Sequence, residues 1–199
     1  MSHKTPAPGP ESQPEDLGHI LFAYESSKER QRLLAEYFGE GLANNELCIF
    51  VTSDAADKVT KDFLAAGLDI EEAVSEGNLR IFEMEETYLP HSKFVGNYML
   101  MNVVNFIIDA KARGYEGVRT AGEMSWLCDH QEFFDDAMEY EEKITKLRDV
   151  SPEFTGLCLY PVREGSGKIV DTALHNHPSY VYDGTIQTNP FYRPDAVTA

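Results

Sequence analysis

Short apolar runs alternate along this chain with longer stretches in which apolar side chains recur every three or four positions. HILFAY (His19–Tyr24) is an apolar run of the kind that forms a strand buried on both faces. Ser26 and Glu29 then have capping-box spacing, and Leu34, Tyr37, Phe38 and Leu42 recur on one helical face, with Gly41 near the helix end. LCIFVT (Leu47–Thr52) is a second strand, rich in β-favouring residues. Asp54 is placed to cap a helix carrying Val59, Phe63 and Leu64, which Gly67 terminates. LRIFEM (Leu79–Met84) is a third strand, and Ser92 is placed to cap a long helix from Lys93 to about Arg113 that Gly114 stops. GVRTAG (Gly117–Gly122) is a fourth, less apolar strand. Asp129 and Glu132 open another helix whose buried side is Phe133, Phe134, Ala137, Met138, Ile144 and Leu147. GLCLYP (Gly156–Pro161) is a fifth strand, a short helix or turn follows around Asp171–His175, and SYVY (Ser179–Tyr182) is a final edge strand. Strands that alternate with helices predict an α/β fold, with right-handed crossovers and a mostly parallel sheet covered by helices on both faces. The pattern does not give the strand order.

Ligands of open parallel sheets bind beyond the carboxyl ends of the strands. Here those ends are Tyr24–Glu25, Thr52–Ser53–Asp54, Glu83–Met84–Glu85, Gly122–Glu123–Met124 and Tyr160–Pro161, with Tyr88 and His91 after the third strand and Trp126 after the fourth. Aromatics, Met and a few polar groups suit a small, partly apolar ligand oriented by a few hydrogen bonds. The same aromatics can equally close the core, and both readings stay open. Glu123 stands out because Gly122, Met124 and Trp126 flank it. A carboxylate there can serve as a general base, orient a ligand or pair with Arg119, and of these catalysis carries the least weight.

Charge narrows the function classes. The 199 residues carry 17 Lys and Arg against 34 Asp and Glu, a formal charge of −17. Such a surface repels phosphate backbones and anionic lipid, so neither direct nucleic-acid binding nor membrane attachment is expected. No apolar run reaches the length of a membrane span, and MSHKTPAPGPESQPED lacks the apolar core of a signal peptide. Cys48, Cys128 and Cys158 form a sparse, odd set that fits reduced thiols in the cytoplasm. Residues 1–17 are rich in Pro, Ser and charge and read as a flexible tail, 18–193 as the domain, and 194–199 as a short frayed end.

Catalytic motifs fail in turn. AYESSKER, after the first strand, holds no glycine, so its backbone cannot wrap a phosphate as a P-loop does, and Lys28 and Arg30 read as solvated. REGSGK ends in Gly167–Lys168, but Val162 and Ile169 break the P-loop spacing. No Gly-x-Ser-x-Gly elbow is present, and no cysteine has an obvious base. The chain is therefore expected not to be an enzyme. Cys128-x-His130 and His175-x-His177 are two-ligand units, with Cys158 a further candidate, but none has strong metal-site spacing, and no metal or other cofactor is expected. Glu139, Glu141 and Glu142 sit on a helix with Lys143 and Lys146 at i,i+4 distances from Glu139 and Glu142, which reads as a salt-bridged solvent face.

Several ordered segments together carry a resemblance: GHILFAYESSKE, LCIFVTSD, ETYLPHSKF, YEGVRTAGEMSWL, EYEEKI, GLCLYP and LHNHPSYVYDGTIQTNPFY. Over residues 18–192 the chain resembles the MEDS domain, the methanogen/methylotroph sensory domain also found in the dichloromethane-responsive repressor. The resemblance implies a fold similar to the RecA and KaiC-like class with a degenerate phosphate loop. It also implies sensing of small molecules, such as hydrocarbon or one-carbon derivatives, in signal transduction or transcriptional regulation. The matched positions are His19, Tyr24, Glu29, Tyr88, Arg119, Glu123, Trp126, Tyr140, Glu141, Cys158, Tyr160, His177, Pro178, Asn189 and Tyr192. Leu159 stands where many members have Gln. No helix-turn-helix or kinase output module is expected in this chain, so a sensor of this kind signals through a separate partner, and self-association is compatible with it. The candidate ligand-binding set is Tyr24, Glu25, Ser53, Asp54, Tyr88, Arg119, Glu123, Trp126, Tyr160 and His177. The alternatives are a degenerate RecA-like nucleotide-binding regulator and an acidic module that docks a basic partner.

Overall fold

The computed structural model describes residues 18–163 and 167–193. In chain order the elements are β1 (His19–Tyr24), α1 (Ser27–Ala43), β2 (Glu46–Thr52), α2 (Ala56–Ala65), α3 (Glu71–Ser75), β3 (Leu79–Glu83) and α4 (Met84–Tyr88), then α5 (Gly96–Arg113), β4 (Gly117–Glu123), α6 (Phe134–Val150), β5 (Phe154–Pro161), α7 (Gly167–Asn176), β6 (Ser179–Tyr182) and β7 (Thr185–Thr188). The seven strands form one sheet in the order β3-β2-β4-β5-β1-β6-β7. Every pairing is parallel except β6 with β7.

Strand alternation splits the core. Ile20 and Phe22 of β1 pack with Phe38 of α1, Phe50 of β2 and Phe63 of α2 on one face. Leu21 points the other way, into a core built with α5, α6 and α7. The helices after β1 and β2 thus cover one face, and those after β3, β4 and β5 the other. Connections that part to opposite faces leave the carboxyl ends of these strands as the natural crevice.

Several local expectations hold. Ser26 accepts the Glu29 backbone N–H at 3.3 Å, and Glu29 reaches back to the Glu25 N–H at 3.0 Å. Gly67 and Gly114 follow α2 and α5, and Gly114 at φ +81° takes the left-handed conformation that a helix stop requires.

Others are corrected. Asp54 caps nothing: Ala55 holds the N-cap of α2, and Asp54 spends its carboxylate on Arg30 and Lys58. Leu64 is 59 % exposed, since it sits about 100° round the helix from buried Phe63. Ser92 does not open α5, because His91 and Ser92 lie in a turn with φ of 59° and 58°, and the helix begins at Gly96. Met84 starts a short helix instead of ending β3. Asp129 precedes a further turn, and α6 begins only at Phe134. SYVY is not the edge: TIQT forms β7 outside it. Residues 1–17 and 194–199, and the centre of REGSGK, lie outside the described residues. Among the described residues no helix is long and apolar enough to cross a membrane.

Candidate functional site

The carboxyl ends of β1, β2 and β4 meet in a buried ionic network. Glu123 ends β4 and is 1 % exposed. Its Oε2 accepts from the Ser53 N–H at 2.8 Å and from the Thr52 and Ser53 hydroxyls, each at 3.0 Å. Its Oε1 is ion-paired with the Arg30 guanidinium. Arg30 also bonds Asp54 at 2.5 Å and lies 5.8 Å from the centre of the Tyr24 ring. Burial pushes the Asp54 carboxyl up, but hydrogen bonds from Lys58 and Arg30 outweigh it and hold Asp54 below its usual range. The β1–α1 connection is only Glu25–Ser26, so carboxylates and an arginine fill the position where a phosphate loop would lie.

On the opposite face of the sheet an aromatic stack closes over the strand ends. Trp126 stacks between Tyr88, at 5.6 Å, and Phe94, at 4.9 Å, and Phe94 meets Tyr140 edge-on at 5.9 Å. Tyr88 lies so close over Gly122 that a Cβ there would stand 2.1 Å from its hydroxyl. The Trp126 indole N–H is buried without a hydrogen-bond partner. Beneath this stack lies a cavity of about 40 Å³, lined among others by Tyr88, Met99, Val103, Phe106, Tyr140 and Cys158. On the same measure one water needs about 10–15 Å³, so the space takes a molecule of very few heavy atoms.

Deeper on that face, His19 of β1, Glu141 of α6, Cys158 of β5 and His177 before β6 converge, with donor atoms within 4.8 Å of one another. Glu141 Oε2 lies 2.9 Å from His19 Nε2 and 3.3 Å from His177 Nε2. Cys158 Sγ is 3.3 Å from both His19 Nε2 and Glu141 Oε2. The Tyr160 hydroxyl donates to the other Glu141 oxygen at 3.3 Å. Asn189 anchors the turn carrying His177, donating to the carbonyls of His177 and Leu174 at 2.7 and 2.6 Å. Burial and the neighbouring His177 bring His19 down to about 4 against the pull of Glu141, so its ring is neutral at pH 7. Burial pushes the Glu141 carboxyl up, and the two histidines draw it down only in so far as they turn an N–H toward it. Burial raises the Cys158 thiol, as does the nearby Glu141.

The sequence-predicted residues therefore fall in separate places. Tyr24, Glu25, Ser53, Asp54 and Glu123 share the ionic end of the sheet, with Glu25 at its exposed rim. Tyr88 and Trp126 form the aromatic stack, and Tyr160 and His177 belong to the deep cluster. Arg119 joins none of these. It reaches the other end of β4, where it pairs with Glu46 and Glu40 and donates to the Tyr37 carbonyl at 3.1 Å. The cation of Glu123 is Arg30, which is buried and not solvated. Glu141 is sealed in the core, unlike its exposed neighbour Glu139. Cys128 and His130 are not part of the deep cluster, and His175 is 3.9 Å from Asp171, so neither two-ligand spacing acts as a unit. Position on the apolar stripe was the available signal: Arg30 precedes Leu34 by one turn, and Glu141 follows Ala137 by one turn.

This sheet order, with helices on both faces and no phosphate loop after β1, is a RecA-like α/β architecture. The structure is similar to the crystal structure of the flagellar accessory protein FlaH from Methanocaldococcus jannaschii, at 13 % identity and a TM-score of 0.53, covering 86 % of this chain and 75 % of that one. Over residues 18–178 the sequence matches the family described as the methanogen/methylotroph, DcmR sensory domain, MEDS, and the chain belongs to that family. No curated protein matches it.

Proposed function

We propose that this chain is a non-catalytic small-molecule sensor that takes up a compact apolar or one-carbon compound and signals through a separate output protein. Family membership supports the sensory role. The observation that carries the ligand class is the cavity of about 40 Å³ between the sheet and α5 and α6, walled by Val103, Met99, Phe106 and Tyr88. Apolar walls of that size select few heavy atoms, and Tyr88 and Tyr140 are the lining residues whose hydroxyls could orient them. The ionic end of the sheet, which a nucleotide-binding relative would use for phosphate, is occupied by paired side chains.

The test is the thermal midpoint of the full chain against chlorinated methanes, methanol and short alkanes. A ligand at about 100 times its Kd adds about 2.7 kcal/mol to stability and raises the midpoint. Val103→Leu, which narrows the cavity, reduces that rise. A panel with no shift refutes the ligand class, and binding of a labelled nucleotide at micromolar concentration would replace the reading with nucleotide regulation.

A further inference from the structure

We propose that His19, Glu141, Cys158 and His177 form a binding site for one divalent metal ion of the zinc class. The proposal does not rest on the sensory reading.

Proton placement argues for it first. His177 Nδ1 lies 2.7 Å from the Ala173 carbonyl, which can only accept, so Nδ1 carries a proton, and in the neutral ring the lone pair is on Nε2. His19 Nδ1 lies 2.8 Å from the Thr145 hydroxyl, whose single proton goes to the Asn176 carbonyl at 3.0 Å or the Glu141 carbonyl at 3.2 Å. That hydroxyl must accept from His19, whose Nε2 is then also a bare lone pair. With both rings neutral, the two lone pairs and the Glu141 Oε2 face one another at 2.9 and 3.3 Å, and among the described residues the Cys158 thiol is the proton donor between them. Acceptors facing acceptors in a sealed core repel, and buried polar groups left unpaired are costly. His177 Nε2 is buried with no hydrogen-bond partner and points into the cluster.

A cation at the focus resolves each of these conflicts. Ligand bonds of about 2.0–2.3 Å make tetrahedral edges of about 3.3–3.8 Å; four of the six donor separations, at 2.9–3.3 Å, approach those edges, and all six lie within 4.8 Å. Two imidazoles, a thiolate and a carboxylate form a donor set of intermediate softness, which suits zinc and its first-row neighbours. Binding breaks the Cys158 S–H bond and releases that proton to solvent, so thiolate, carboxylate and divalent ion sum to zero charge. The Nδ1 hydrogen bonds to Ala173 and Thr145 are the outer contacts that fix a metal-binding imidazole. A surface pocket of about 320 Å³, lined by Thr145, Asn176 and Pro178, reaches as far as His19 at the edge of the cluster.

The experiment is titration of the full chain, stripped with a chelator, with Co(II) alone and then Zn(II). The expected result is one equivalent of Co(II) showing a thiolate-to-cobalt charge-transfer band and the intense visible bands of tetrahedral cobalt, displaced by Zn(II). Cys158→Ser abolishes the charge-transfer band, while Cys128→Ser leaves it unchanged. Thr145→Val keeps the band and weakens affinity by at least about 10-fold. That variant leaves the metal ligands intact and decides the matter if Cys158→Ser fails to fold. Absence of the band in the native chain overturns the proposal, as does its survival in Cys158→Ser or its loss in Cys128→Ser.

Discussion

Glu123 and Glu141 are both sealed, at 1 % and 0 % exposure, yet what surrounds them differs in kind. Glu123 meets a guanidinium, two hydroxyls and a backbone N–H, so its charge is answered by the chain itself. On its inner oxygen Glu141 meets two imidazole nitrogens and a thiol. A buried carboxylate needs a positive partner whether the core packs well or not. One end of the molecule carries its cation in the sequence, as Arg30. The other is arranged as though its cation comes from outside.

The hardest way to break that comparison is to remove the built-in cation. Arg30→Met leaves Glu123 and part of Asp54 uncompensated, and an orphaned buried charge costs about 3–5 kcal/mol. Urea denaturation of the variant should show that loss, and adding Glu123→Gln to it should recover part of the loss by coupling. A loss under about 1 kcal/mol would mean that water, and not Arg30, neutralises Glu123.

A sharper contrast comes from the same substitution at both sites. Glu123→Gln removes the charge opposite Arg30 and swaps an acceptor for a donor, so a cost of about 1–3 kcal/mol is expected. In the metal-free chain Glu141→Gln should be neutral or stabilising, because its amide N–H groups can donate to the His19 and His177 lone pairs while its oxygen still accepts from Tyr160. The two variants are compared by denaturation in the presence of a chelator. Equal losses would show that Glu141 already has its proton or cation from within the chain.

The aromatic stack beside these two sites gives a smaller effect. Gly122→Ala places a methyl against the Tyr88 hydroxyl, and Tyr88 cannot swing away freely because Trp126 stacks on its ring. Overpacking of this kind costs about 1–3 kcal/mol. Trp126 is the lone tryptophan, so its fluorescence reports the displacement directly. Unchanged emission with unchanged stability would mean that the stack yields without strain.

The sequence disclosed the strands and their parallel pairing far better than it disclosed these contrasts. Alternation of apolar runs with helical stripes is a local signal, and it located β1 to β5 within a few residues. β7 was missed because TIQT is short, polar and half-exposed, held only by its pairing with β6. Arg30 and Glu141 were misjudged for a different reason. Each was weighed by residue type, as a charge that belongs in water. Each instead lies on the buried stripe of its helix, one turn from Leu34 and Ala137 respectively. The deep cluster was harder still, since His19, Glu141, Cys158 and His177 come from four elements joined only by the strand order β5-β1-β6 and the packing of α6 beneath it. All four stood among the positions matched to the family, but His177 alone stood in the candidate ligand-binding set.

The smallest effect tests whether Arg30 alone matters at the ionic end. Lys58 also bonds Asp54, at 3.0 Å, but its side chain is 51 % exposed. An exposed pair of this kind is worth about 0.2–1 kcal/mol, so Lys58→Gln should lower stability by well under the Arg30→Met loss. The two variants also differ in acid. Asp54 is held below its ordinary value of 3.8 in the folded state, so its pairing contributes fully above about pH 4 and is lost as the pH falls through the lower folded value. Lys58→Gln weakens that depression while Arg30 remains, so the acid limb of a stability–pH curve should move up slightly in pH, with the neutral plateau nearly unchanged. A plateau that drops as far in Lys58→Gln as in Arg30→Met would mean that the exposed lysine carries the network, and that the contrast between a built-in and an external cation is drawn in the wrong place.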